Sequence, residues 1–164
     1  MSIEPRDLHA SSVPPAAGLG RLVRILLVED SEGDVALTRA ALSRARVSND
    51  LHRVADGVEA LQYLRREAPF TDEATPDLVL LDLNMPRMDG REVLMHMKED
   101  PVLRRIPVVV LTTSASERDV LASYDRSVAG YITKPVAFND FVKVIQSLEE
   151  FWLSIVHYPP HGMN

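Results

Sequence analysis

Four residues of this 164-residue chain have the types and spacing to do chemistry together: Glu29, Asp30, Asp82 and Lys134. Each follows a short, apolar, β-branched run. Val23-Arg24-Ile25-Leu26-Leu27-Val28 leads into Glu29-Asp30, Leu78-Val79-Leu80-Leu81 into Asp82, and Tyr131-Ile132-Thr133 into Lys134. Two adjacent carboxylates are costly alone, because like charges about 4 Å apart repel by about 4 kcal/mol at an effective dielectric of roughly 20. With Asp82 added, the crowded oxygens suit a hard cation such as Mg²⁺, which keeps several waters and binds through one or two carboxylates plus a phosphate. Asp82 is the natural nucleophile, since a carboxylate can form an acyl phosphate. Lys134 can neutralise phosphoryl oxygens as a point charge. Thr112, closing another β-branched run, offers a hydroxyl to one more oxygen.

The elements that must position these groups follow from the pattern. Short apolar runs separated by helical periodicity read as buried parallel strands. Strands are expected at about 22–28, 51–55, 77–81 and 108–111, with a fifth opening at Gly130. The first helix is expected from about Asp34 to Arg46, with Val35, Leu37, Ala41, Leu42 and Ala45 inward. Asp56-Gly57 reads as a turn, and Val58, Leu61 and Leu64 give the second helix its stripe. Residues 68–76 form a polar loop, and 84–90 a loop before a third helix ending near Glu99. Ser116 is a plausible cap for a fourth helix, and the last runs from about Phe138 to Val156 until Pro159-Pro160 stops it. Five alternating β and α elements imply an α/β domain with a doubly wound parallel sheet. In such a sheet the groups at the carboxyl ends of the strands meet in one crevice. Lys134-Pro135 is a candidate cis peptide in a tight connection.

Bulk properties narrow the partners. The composition is 46% hydrophobic and 26% charged, as in a soluble globular domain. The net charge of -6 leaves no basic stripe to neutralise nucleic-acid phosphates. There is no cysteine, hence no disulfide or thiolate metal site, which fits a reducing compartment. No apolar stretch approaches the roughly 20 residues needed to span a bilayer. Residues 1–20 are rich in Ser, Pro, Ala and Gly and lack the apolar core of a signal peptide. They are expected to be a disordered tail, with the folded domain at 21–147, an extension at 148–164, and a cytoplasmic location. The five histidines are scattered without metal spacing.

The combined motifs resemble the receiver domain of two-component response regulators, over about residues 22–146. They are Leu27-Val28-Glu29-Asp30, Leu80-Leu81-Asp82-Leu83-Asn84-Met85-Pro86-Arg87-Met88-Asp89-Gly90, Leu111-Thr112-Thr113-Ser114 and Gly130-Tyr131-Ile132-Thr133-Lys134-Pro135. The resemblance implies a flavodoxin-like sheet of strand order 2-1-3-4-5. It implies that Asp82 accepts a phosphoryl group from a phosphohistidine on a partner kinase. It further implies Mg²⁺ held by Asp30, Asp82 and the backbone carbonyl of Asn84, with Glu29 acting through water. Thr112 and Lys134 would hold phosphoryl oxygens, and Tyr131 would turn inward as Thr112 moves. The family usually has Ala or Gly where this chain has Thr113, a β-branched residue expected to narrow access to the phosphoryl group. Such a protein is a phosphoacceptor that assists its own phosphotransfer and dephosphorylation rather than an enzyme.

Only Val136 to Asn164 follow the last motif, too little for a DNA-binding module, so output is expected through protein contact. Phe138, Phe141, Val142, Ile145, Leu148, Trp152 and Ile155 form one apolar stripe at helical spacing, and its distal part reads as an interface. The segment from Phe151 to Pro160, with Ser123-Tyr124-Asp125 and the Leu111–Ser114 motif, resembles the small stand-alone regulators paired with bacterial phytochromes. That implies a light-regulated histidine kinase upstream and a homodimer through the fourth helix, fifth strand and last helix. The alternative within the signalling class is a regulator or relay for a non-photosensory kinase. An aspartyl-phosphate phosphatase of the haloacid-dehalogenase type needs a second Asp two residues after the nucleophile, where this chain has Asn84. A flavodoxin-type flavin domain needs a Ser/Thr/Gly-rich loop after the first strand, where Glu29-Asp30-Ser31-Glu32 is acidic.

Overall fold

Runs of Val, Leu and Ile with almost no interruption can be covered only by helices on both faces of a sheet, and the chain is built that way. The computed structural model describes residues 22–44, 48–113, 128–133, 142–143 and 146–147. The elements are β1 (Val23–Val28), α1 (Glu32–Leu42), β2 (Asn49–Val54), α2 (Gly57–Leu64), β3 (Leu78–Asp82), α3 (Gly90–Glu99), a 3₁₀ turn (Leu103–Arg105), β4 (Val108–Thr112) and β5 (Gly130–Thr133). All neighbouring strands pair in parallel, in the order β2-β1-β3-β4-β5.

Side-chain alternation along the strands separates two cores. Leu26, Val28, Val79, Leu81 and Val110 pack with α2 and α3, through residues such as Leu61, Val93 and Met97. Ile25, Leu27, Leu80, Val109 and Leu111 pack on the other face with Val35, Ala41 and Leu42 of α1 and with Val142. Leu26, Leu27, Val28, Val79 and Leu81 are completely inaccessible. Each such side chain contributes roughly 1.5–3 kcal/mol of burial. The ends of β1 and β3 are therefore among the most firmly held parts of the molecule.

The boundaries differ from the sequence reading where side chains cap the helices. Helix α1 starts at Glu32, ahead of the expected Asp34, because the Ser31 hydroxyl accepts a bond from the Asp34 N–H at 3.2 Å. Asp56 is the cap of α2 rather than part of a free turn, accepting from the Glu59 N–H at 2.9 Å. Strands β3 and β4 each run one residue past their expected ends, so Asp82 and Thr112 belong to the ladder. The 3₁₀ turn after α3 was not expected. The tail at 1–20, the fourth helix, the Lys134–Pro135 bond and the extension at 148–164 lie outside the described residues. Of the last helix, residues 142–143 and 146–147 are described and helical. Among the described residues the cis X–Pro bond is Ala68–Pro69. No helix among the described residues is long and apolar enough to cross a membrane.

Candidate phosphoacceptor site

The strand register assembles the site. Val28 pairs with Leu81, so the next residues, Glu29 just past β1 and Asp82 at the end of β3, stand side by side. Asp82 pairs with Leu111, which puts Thr112 one position beyond it on the adjacent strand. Thr112 in turn pairs with Thr133, the residue before Lys134. Lys134 itself lies outside the described residues.

One carboxylate oxygen from each of Glu29, Asp30 and Asp82 lies within 4.8 Å of the others. Glu29 and Asp82 are buried, whereas Asp30 is exposed. Two backbone donors help to offset the crowding: Ser31 N–H reaches Glu29 Oε2 at 3.3 Å, and Asn84 N–H reaches Asp82 Oδ1 at 3.2 Å. Three hard oxygen donors in this span, two on the dry side and one facing water, fit a divalent cation that keeps part of its hydration shell. Asn84 is exposed at the head of the β3–α3 loop, beside the same carboxylate. Thr112 is fully buried. Tyr131 is half-buried and packs against the core on the α2–α3 face. Thr113 is exposed.

Two glycines and one ion pair hold the loop after Asp82. A Cβ on Gly90 would stand 2.5 Å from the Asp82 carbonyl oxygen and 2.8 Å from Leu83 Cα. A Cβ on Gly57 would collide with the Met88 carbonyl oxygen, which accepts the Gly57 N–H at 3.1 Å. The loop is thus pressed between the starts of α2 and α3. Arg87 adopts a left-handed backbone conformation (φ 66°) and grips Asp56 through Nε at 2.8 Å and Nη2 at 3.1 Å. Burial pushes the Asp56 carboxyl up. The Arg87 hydrogen bond, the Glu59 N–H and the Arg87 charge outweigh that, and its pKa falls below the ordinary value. Arg87 is correspondingly raised by the bond to Asp56.

Sequence reasoning missed Asp56, Arg87 and a further basic residue, Arg53. For Asp56 a signal was present. Asp56-Gly57-Val58-Glu59 has capping-box spacing, and Glu59 Oε1 reaches back to the Ala55 N–H at 2.8 Å. Nothing local marks Arg87, whose partner is 31 residues away in sequence, or Arg53, whose partners are 21, 23 and 24 residues away.

Comparison with known proteins settles the family. Residues 25–146 match the response regulator receiver domain. The chain belongs to that family. This receiver is 45% identical over 135 residues to response regulator Rcp1 of Synechocystis sp., covering 82% of this chain and 92% of Rcp1. Among solved structures it is similar to the phosphorylated cyanobacterial phytochrome response regulator RcpA. That match has a TM-score of 0.75 and 47% identity, over 82% of this chain and 96% of the other. It is similar also to the Mn²⁺-bound form of Rcp1, with a TM-score of 0.73 and 44% identity over 84% and 99% of the two chains. The receiver fold and strand order expected from the sequence are the ones observed.

Proposed function

We propose that Asp82 accepts a phosphoryl group from a phosphohistidine of a sensor histidine kinase, and that the phosphorylated receiver signals by protein contact. The observation that carries this reading is the convergence of Glu29, Asp30 and Asp82 at two adjacent strand ends, with Thr112 on the next strand. An Asp82 carboxylate oxygen attacks phosphorus, the P–N bond to the kinase imidazole breaks as the P–O bond forms, and the leaving imidazole takes up a proton. Asp30, Asp82 and the Asn84 carbonyl would hold Mg²⁺ directly, and Glu29 through water. A divalent cation bound there supplies positive charge against the phosphoryl oxygens. Thr112 donates its hydroxyl to one of those oxygens and Lys134 neutralises another. Tyr131 follows Thr112, carrying the change toward β5.

The likeness to Rcp1 and to the phytochrome regulator RcpA supports a bacterial phytochrome as the kinase. The test is phosphotransfer from a purified phytochrome kinase and from an unrelated histidine kinase, each with Mg²⁺. Faster transfer from the phytochrome supports the pairing. Equal or slower transfer points to a non-photosensory kinase. The apolar sequence stripe from Phe138 to Ile155 supports a homodimer through the last helix. Light scattering that gives a monomer at micromolar concentration contradicts it.

A further inference from the structure

The β1–α1 linker carries two of the three acids, and it is only three residues long, Glu29, Asp30 and Ser31. The Glu29 N–H still donates to Val54 O, at 3.1 Å, and Ser31 already caps α1. Between them the carbonyls of Glu29 and Asp30 have left the strand ladder and need partners of another kind. Both go to one side chain. Arg53 Nε donates to Glu29 O at 2.8 Å and Nη2 to Asp30 O at 3.3 Å. The remaining face of the guanidinium meets Glu32 Oε2 through Nη1 at 3.0 Å. Arg53 stands opposite Leu27 on edge strand β2, with its side chain 20% exposed.

We infer that Arg53 is a positioning residue for the cation and phosphoryl site, holding the Glu29–Asp30 backbone so that both carboxylates stay turned toward Asp82. This deepens the phosphoacceptor reading and rests on it. A planar, rigid fork that binds two successive carbonyls leaves the linker little torsional freedom. A lysine has the charge but not the fork. The electrostatic effect of Arg53 has the opposite sign: a positive charge beside the acids opposes a second cation. Removing the charge alone tightens metal binding, whereas removing the hold weakens it. The direction of the change therefore separates the two roles.

The test is Mn²⁺ affinity of the full chain, read from the free-ion electron paramagnetic resonance signal well below the melting midpoint, so that only folded molecules report. Arg53→Lys and Arg53→Met are compared with wild type. The expected result is that both bind more weakly, by about 10-fold, the lower end of what groups supporting metal ligands are worth. Wild-type affinity in Arg53→Lys, or tighter binding in Arg53→Met, overturns the assignment. If Arg53→Met does not fold, Arg53→Lys and Arg53→Gln carry the same comparison. Failure of the wild type itself to bind Mn²⁺ overturns the underlying site reading, and this inference with it.

Discussion

Replacing Asp30 by Asn removes one of three negative charges whose oxygens lie within 4.8 Å of one another. At that separation each pair repels by about 3.5 kcal/mol at an effective dielectric of roughly 20, and by about 0.9 kcal/mol in bulk water. Asp30 is exposed, so the water-like end applies, and its two pairs sum to about 2 kcal/mol. The metal-free variant is therefore expected to be more stable than wild type by about 2 kcal/mol. For a domain of this size that raises the melting midpoint by about 4–8 °C. Mg²⁺ is expected to reverse the order. At a concentration of about 100 Kd it stabilises the wild type by about 2.7 kcal/mol, and it does little for the variant. Thermal melts of both proteins, in chelator and in Mg²⁺, make the assay. A variant less stable than wild type in chelator, or equal Mg²⁺ stabilisation of the two, contradicts charge crowding and metal binding at this site.

Gly90→Ala forces a methyl group to 2.5 Å from the Asp82 carbonyl oxygen. A urea melt should show a loss of about 1–3 kcal/mol, the usual cost of overpacking; an unchanged midpoint shows that the loop gives way freely. Helix α1 starts three residues after Glu29 and so flanks the acidic site; a kinase that docks on its exposed face would meet Ala36 and Ala40. Val35, on the same helix, is buried in the core and cannot serve. Ala36→Asp and Ala40→Asp should slow phosphotransfer and leave Mg²⁺ affinity unchanged, and normal transfer in both moves the docking surface elsewhere. Because the Asp56 carboxyl lies below the ordinary pKa when folded, its stabilising contribution is full above the unfolded value of about 3.9 and is lost as pH falls through the folded value. The stability gap between wild type and Asp56→Asn, from urea melts across pH, should be widest near neutrality and narrow on acidification. A gap that is constant with pH contradicts the Asp56–Arg87 linkage.

What the sequence made legible is what period and position encode. Strands such as Leu78–Leu81 are apolar at every residue, which marks them as buried on both faces, and an acid directly after such a run has few places to be other than a crevice rim. Glu29, Asp30, Asp82 and Thr112 were found on that ground, and register alone brings them together. Helix starts were less legible, because Ser31 and Asp56 act through side-chain bonds that a hydrophobic stripe does not register. The grips on the two site loops were not legible at all. Arg53 and Arg87 are polar residues in ordinary surroundings, and each finds its partners only once β2 and the β3–α3 loop stand beside the strand ends.

The proposed role of Asp82 as phosphoacceptor has one direct test. The direct measurement is transfer of labelled phosphate from a phosphorylated cognate kinase in Mg²⁺ to wild type and to Asp82→Asn, with thermal melts to show that both are folded. Rapid labelling of the wild type, lost on adding chelator, and no labelling of the variant are expected. Equal labelling of Asp82→Asn contradicts that role.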